Sequence, residues 1–303
     1  MKRKTFIQNT AAAGIFTGIG GLGLLSSSFK APAKHITILH TNDVHSHIEP
    51  FPADDAKYPN LGGISRRYSL IENIRKENPN TLLLDAGDIF QGTPFFNFYG
   101  GEIEFKLMSK LKYDAATLGN HDFDNGIDGF NAQLPNADFS FISSNYDFSN
   151  TILDGKVKDY QVFTKDGVKI GVFGLGIELD GLVSKKNYKE TQYLNPVEIA
   201  QEMTKKLKQE EKCDLVICLS HLGYHYDSDK IDDLKLASQT KDIDLIIGGH
   251  THTFLPKPTV TKNLEGKKVL VNQTGWAGVN LGRIDFYLDQ ENNISAEGAA
   301  IEV

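Results

Sequence analysis

The chain has 303 residues, 40% hydrophobic and 23% charged, enough apolar side chain for one large domain or two ordinary ones. Its formal net charge is −7, and the first 33 residues carry four cations and no acid, which leaves about −11 on the remainder. That balance excludes a nucleic-acid polymer as the main partner, because backbone phosphates call for clustered Lys and Arg. A small anionic substrate stays open, since a metal ion can supply positive charge locally.

The amino end reads as an export signal over residues 1–33. Lys2-Arg3-Lys4 is a basic start, residues 11–25 are apolar but glycine-rich, and Ala31-Pro32-Ala33 has the small-x-small pattern of a cleavage site. Arg3-Lys4-Thr5-Phe6-Ile7 is loosely similar to a twin-arginine signal, with lysine at the second arginine. The apolar run is too short to span a bilayer, and no cysteine near the cleavage site offers a lipid anchor. The expectation is an exported, periplasmic or extracellular protein without a stable membrane anchor. Gly18-Ile19-Gly20-Gly21-Leu22-Gly23 matches G-x-G-x-x-G, but no strand precedes it and no βαβ unit contains it, so it is not a dinucleotide site.

Residues 36–40 read as a buried strand, followed by an amphipathic helix over 64–76 with Tyr68, Ile71 and Ile74 near helical spacing. A strand at 82–84, a helix within 95–111 and strands at 115–118 and 139–143 come next. Residues 160–174 predict a hairpin turning at Asp166-Gly167. A helix is predicted over 197–212, preceded by a proline stop at Pro196, with Ala200, Met203 and Leu207 on one face. Strands at 215–220 and 245–248 precede β-hairpins in the last forty residues. The two cysteines, Cys213 and Cys218, are five positions apart; on a strand they face opposite sides, beyond disulfide reach, as buried apolar fillers. No repeat or linker interrupts residues 34–303, and the pattern predicts a single layered α/β catalytic domain with mixed sheets.

Five predicted strands end in polar, metal-type residues. Asp43-Val44-His45 follows the first, Gly87-Asp88 the second and Gly119-Asn120-His121-Asp122 the third, while Ser220-His221 and Gly248-Gly249-His250-Thr251-His252 follow two late strands. Carboxyl ends of strands are where sites assemble in open α/β sheets, so these segments can converge on one crevice. Imidazole and carboxylate together suit a borderline cation such as Zn²⁺ or Mn²⁺. Seven such ligands exceed one tetrahedral ion and suit two, about 3.5–4 Å apart, the separation used in phosphoryl displacement. Singly, each motif is ordinary: Asp-x-His is common in surface loops, Gly-Asp marks a turn, Asn-His-Asp can cap a helix. Their order and shared context carry the reading.

His40-Thr41-Asn42-Asp43-Val44-His45, Leu61-Gly62-Gly63-Ile64-Ser65-Arg66, Asp85-Ala86-Gly87-Asp88, Leu118-Gly119-Asn120-His121-Asp122-Phe123-Asp124-Asn125-Gly126, Ser220-His221-Leu222-Gly223 and Gly248-Gly249-His250-Thr251-His252 together resemble the motif series of the 5′-nucleotidase family. The parent group is the calcineurin-like metallophosphoesterases. The resemblance implies a four-layer α/β/β/α sandwich with mixed sheets and two divalent metal ions. It makes Asp43, His45 and His252 ligands of the first ion, Asp88 the bridge, and Asn120, His221 and His250 ligands of the second. Many exported nucleotidases that resemble this chain have Gln where His252 stands, a departure that bears on metal choice. His121 and Asp124 match the family's catalytic dyad, the carboxylate orienting a protonated imidazole at the transferring phosphoryl group or leaving oxygen. The implied reaction is in-line attack of water on phosphorus, without a covalent enzyme intermediate.

Arg66 and Arg67, early in a predicted helix, are assigned to packing or salt bridging. His40 is read as structural, His47 and His225 as neighbours of the cleft, and His35 as a surface residue. Full-length exported 5′-nucleotidases carry a second domain that binds the base and phosphate, so the resemblance leaves two expectations: the enzyme works alone on simpler phosphoesters, or, the expectation adopted, a companion chain carries that C-terminal substrate domain. The expected substrate is a nucleoside 5′-monophosphate or a small phosphoester. The rival enzyme readings are a cyclic-nucleotide phosphodiesterase, a nucleotide-sugar pyrophosphatase and a sulfur-oxidation hydrolase; the rival of another class is a non-catalytic metal-binding subunit.

Overall fold

The computed structural model describes residues 34–303 apart from Asn292. The predicted export segment, with its basic start and cleavage pattern, lies outside the described residues. In chain order the strands are β1 (Lys34–Thr41), β2 (Thr81–Asp85), β3 (Ala115–Ala116), β4 (Ser140–Phe141), β5 (Tyr146–Asp147), β6 (Tyr160–Lys165) and β7 (Val168–Leu175). They continue as β8 (Gln192–Tyr193), β9 (Leu215–Ser220), β10 (Leu245–Gly248), β11 (Thr259–Lys262), β12 (Lys268–Asn272), β13 (Asn280–Leu288) and β14 (Ile294–Glu302). The helices are α1 (Ile64–Glu77), α2 (Pro94–Tyr99), α3 (Glu102–Lys110), α4 (Gly126–Gln133), α5 (Lys185–Tyr188), α6 (Pro196–Lys205) and α7 (Asp233–Gln239).

Two six-stranded sheets carry the architecture, in the orders β14-β13-β1-β2-β3-β4 and β11-β12-β10-β9-β7-β6. Both are mixed. In the first, β1 pairs parallel with β2 and antiparallel with β13. In the second, β10 runs parallel to β9 and β12, while β6–β7 and β11–β12 are antiparallel hairpins.

The layering follows from side-chain alternation along each strand. Leu82 and Leu84 of β2 join Ile36, Ile38, Ile217 and Ile247 in a core shared by the two sheets. Leu83, between them, points the other way, into a core with Ile71 of α1 and Phe105 of α3. Val216, Cys218 and Ile246 of the second sheet turn outward to Ala200 and Met203 of α6 and Leu236 of α7. One strand therefore feeds two cores, and the α/β/β/α sandwich results.

Some expectations change in detail. The helix predicted within 95–111 divides into α2 and α3 at Gly100 and Gly101. Gly101 has φ 99°, and a Cβ there would lie 2.3 Å from the Phe90 ring, so only glycine allows the chain to pass. The helix predicted over 197–212 ends with a π-helical turn at Lys206–Glu210. The strands predicted at 115–118 and 139–143 shrink to the two-residue β3 and β4. Cys213 and Cys218 are both buried and free, yet they share one outer core, because Cys213 precedes β9 and strand alternation does not reach it. Arg67 is buried within α1, and its Nε and Nη1 have no hydrogen-bond partner. It shares a cavity of about 20 Å³ with Glu104, whose two carboxylate oxygens are equally unpartnered.

Candidate metal centre and active site

The loops leaving the carboxyl ends of β1, β2, β3, β9 and β10 meet at one end of the sandwich. Asp43, His45 and His252 form one group and Asp88, His221 and His250 another, with donor atoms inside each group within 4.8 Å of one another. The groups adjoin: His45 Nε2 is 3.8 Å from Asp88 Oδ2, and His221 Nε2 is 3.9 Å from Asp43 Oδ1. Asn120 Oδ1 lies 2.8 Å from His250 Nδ1, which brings all seven predicted ligands into one cluster. Each group draws residues from both sheets, since Asp43, His45 and Asp88 follow strands of the first sheet and His221, His250 and His252 follow strands of the second.

The backbone that presents these side chains is strained. Asp43, His45, Asp88, His250 and His252 have φ of 48°, 47°, 56°, 70° and 49°, the left-handed region that costs a non-glycine residue about 1 kcal/mol or more. Five such residues in one cluster persist only because the surroundings hold them. The His250 N–H donates to both oxygens of Asp43 at 3.0 and 3.1 Å. The His45 N–H donates to the Asp88 carbonyl at 3.1 Å, and the Asp43 N–H to that of Gly87 at 2.9 Å. Gly119 is packed so closely that a Cβ would lie 2.1 Å from Asp88 Oδ1.

Asp122 is the main residue that the sequence reading left without a role. It is fully buried, and its carboxylate accepts from the N–H groups of Gly119, Asp88, Ile89 and Phe90 at 2.8, 3.0, 3.0 and 3.3 Å. It thereby ties the loop after β3 to the loop after β2. The signal was its place inside the Asn-His-Asp motif. Asn42 does similar work on the other side: its amide donates to Asp43 Oδ2 at 2.6 Å and to the Gly275 carbonyl at 2.9 Å.

Hydrogen bonds fix the imidazole tautomers. His45 Nδ1 lies 3.0 Å from the Phe90 carbonyl and His221 Nδ1 lies 2.7 Å from the Ala86 carbonyl. A carbonyl only accepts, so each Nδ1 carries a proton and each Nε2 is turned to the cluster. His221 Nε2 is fully buried, 3.1 Å from Asp88 Oδ2, and without an aligned hydrogen-bond partner. Burial opposes ionisation of Asp88, but His221, His45 and His121 around it hold its carboxyl below the usual range. Burial likewise opposes charge on His221, and Asp88 and Asp43 overcome it, pushing the imidazole up to about 10. Two buried carboxylates beside the His221 imidazole, which holds a proton against them, form a set that a cation can occupy in place of that proton. The residues fit a pair of divalent metal ions.

His121 stands at the rim of this cluster, with 31% of its side chain exposed. Its Nδ1 lies 3.0 Å from Asp124 Oδ2, and its backbone N–H donates to Asp88 Oδ1 at 2.8 Å. Nε2 is 3.1 Å from the Gln91 amide. Burial pulls this imidazole down, but the Asp124 hydrogen bond and the Asp88, Asp124 and Asp122 charges prevail, so it binds a proton more readily than usual.

The other singled-out residues fall outside the cluster. Burial holds His40 neutral, pulled down to about 3, and Asn272 Nδ2 donates to its Nε2 at 2.9 Å. His225 lies 3.4 Å from both Asp227 and Asp232. His35 stacks on Tyr287 and lies 2.8 Å from Asp285, a more specific place than the expected bare surface. Arg66 is exposed and donates to the Asn60 carbonyl, away from the ligands.

The calcineurin-like phosphoesterase family profile matches residues 36–254. The chain is 34% identical over 300 residues to the trifunctional nucleotide phosphoesterase protein YfkN of Bacillus subtilis, covering 88% of this chain and 19% of that one. It is 33% identical over 288 residues to the snake venom 5′-nucleotidase of Crotalus adamanteus, covering 88% of this chain and 47% of the venom protein. Among solved structures, the 5′-nucleotidase precursor from Thermus thermophilus superposes with a TM-score of 0.81 at 34% identity, over 89% of this chain and 55% of that chain. The chain thus spans about half or less of the length of these curated relatives.

Proposed function

Because the chain belongs to the calcineurin-like phosphoesterase family, we propose that it hydrolyses nucleoside 5′-monophosphates or related nucleotides to release phosphate. The observation that carries this reading is the pair of adjoining ligand groups with the His121–Asp124 pair at their rim. Asp43, His45 and His252 would hold the first divalent cation, Asn120, His221 and His250 the second, and Asp88 would serve both. The donor chemistry favours Zn²⁺ or Mn²⁺. When bound, such cations supply positive charge for the phosphoryl oxygens and lower the pKa of a nearby water.

The remaining work belongs to the chain's own side chains. Asp124 holds the His121 ring through Nδ1, which leaves Nε2 to face the substrate. The bond broken is the one between phosphorus and the nucleoside oxygen, and His121 Nε2–H gives its proton to that departing oxygen as water oxygen joins phosphorus. Asp122 acts through position alone, keeping Asp88 and Asn120 at the spacing the cluster needs.

The reading includes export, supported by the basic, apolar and small-residue pattern of residues 1–33. Among the described residues no helix is long and apolar enough to cross a membrane.

The test is phosphate release from AMP by the chain loaded with Mn²⁺ or Zn²⁺, beside a cyclic nucleotide, a nucleotide sugar and an aryl phosphodiester. AMP is expected to turn over fastest, and His121→Ala to keep its metal while losing about 100-fold or more in kcat. Preference for a cyclic nucleotide or a nucleotide sugar would move the reading to a phosphodiesterase or a pyrophosphatase. Bound metal with no turnover on any substrate would replace the enzyme with a metal-binding subunit.

A further inference from the structure

Six aromatic rings form a connected cluster of stacked, tilted and edge-on pairs along the rim of the candidate site, and none belongs to the three apolar cores. His47, Phe51 and Tyr58 come from the segment after β1, His252 and Phe254 from the loop after β10, and Trp276 from the loop after β12. Trp276 is the hub. Its ring lies 4.6 Å from His47, 5.8 Å from Phe51, 6.0 Å from Tyr58 and 6.2 Å from the candidate ligand His252. Tyr58 continues the row to Phe254, nearly parallel at 22° and 6.0 Å away. Phe254 is 41% exposed, a large apolar surface to leave in water.

The row is held rigid by the same bonds that shape the site. The Ala277 N–H donates to the Asp43 carbonyl at 2.8 Å, and Asn42 Oδ1 accepts from the Thr274 N–H, also at 2.8 Å. The Phe254 ring packs closely on Gly275, where a Cβ would come within 2.3 Å of it. Rings fixed in this way have little conformational entropy left to lose when a planar ligand stacks on them.

We propose that Trp276, Tyr58 and Phe254 form an aromatic platform that takes the nucleobase of the substrate, so that base recognition begins on this chain. The inference rests on the phosphoester reading above and adds a specificity site to it. The distances suit it: roughly six bonds of about 1.5 Å separate phosphorus from a base, and they fold back through the ribose. A phosphate at the ligand cluster therefore leaves the base within reach of the row that starts at His252. Stacking on such rings accepts any base, because every base has a π face.

Trp276 is the single tryptophan of the chain, so intrinsic fluorescence reports on the platform without any turnover. Titration of the full chain with adenosine, which has no phosphate, is expected to quench this emission in a saturable way, whereas ribose leaves it unchanged. The kinetic arm compares AMP with ribose 5-phosphate in Phe254→Leu and Tyr58→Leu. The ratio of kcat/KM for the two substrates is expected to fall about tenfold in each variant. A ratio within twofold of the parent chain, or equal fluorescence responses to adenosine and ribose, overturns the platform. If no phosphoester is hydrolysed, the functional reading fails while the adenosine titration still decides the platform.

Discussion

Asp124→Asn keeps the shape of the side chain and removes its charge, which isolates what the carboxylate contributes through His121. The two side chains meet at 3.0 Å with 31% and 35% of their surfaces exposed. A hydrogen bond between charged groups contributes roughly 1.5–3 kcal/mol, and partial exposure to water and salt places this one near the lower end. About 1.4 kcal/mol lost from the transition state is tenfold in kcat. His121→Ala removes the imidazole itself and is expected to cost about 10²–10⁴. Because the carboxylate has no other partner at the reacting centre, the double variant should be no slower than His121→Ala alone. The assay is initial-rate phosphate release at saturating nucleotide for the parent chain, both single variants and the double variant, with bound metal measured by elemental analysis. A further tenfold loss on adding Asp124→Asn to His121→Ala would refute the argument. So would metal loss in Asp124→Asn, because the carboxylate would then be supporting the ligand cluster.

Two other outcomes follow from packing and charge. Gly119→Ala puts a methyl group 2.1 Å from Asp88 Oδ1 and 2.6 Å from His221 Cε1. It is expected to destabilise the chain by about 1–3 kcal/mol and to weaken Mn²⁺ binding in calorimetry at least about tenfold; unchanged affinity would show that the loop can yield. Asp285 accepts from Thr37 Oγ1 at 2.6 Å, from Arg283 Nε at 2.7 Å and from His35 Nε2 at 2.8 Å. Burial raises its carboxyl, but Thr37, Arg283 and His35 outweigh that and hold it below the usual range. A lowered folded-state value means the stabilisation is full above the unfolded value of about 3.9 and disappears as pH falls through the folded value. Asp285→Asn should therefore lose about 1–2 kcal/mol in urea unfolding at pH 7, and the deficit should shrink on acidification below roughly pH 4. A deficit that persists unchanged in acid would refute the assignment.

What the sequence made legible was whatever rests on local pattern. Short apolar runs such as residues 82–84 marked strands, Asp166-Gly167 marked a hairpin, and each strand-end motif carried its metal-type residues within a few positions. What escaped depends on contacts between distant segments. Nothing near Gly101 announces that Phe90 will press against it, so α2 and α3 read as one helix. Asp122 accepts from N–H groups more than thirty positions earlier, and no spacing rule encodes that. The aromatic row joins rings from three loops with no period in common. Arg67 reads only as a packing or salt-bridging residue of a predicted helix, and the structure shows it buried beside Glu104.

The cluster also settles a mechanical question for the sandwich. Most of the seam between the sheets is apolar, and the attraction of its Ile, Leu and Val side chains has no direction; the buried His40–Asn272 hydrogen bond is one directional contact within it. At one end, His221 of the second sheet donates to Ala86 of the first, and the His250 N–H grips the carboxylate of Asp43. Such bonds tolerate little misalignment. The site acts as a key in a lock plate: it indexes the sheets against each other, so a slip along the seam displaces the candidate metal ligands.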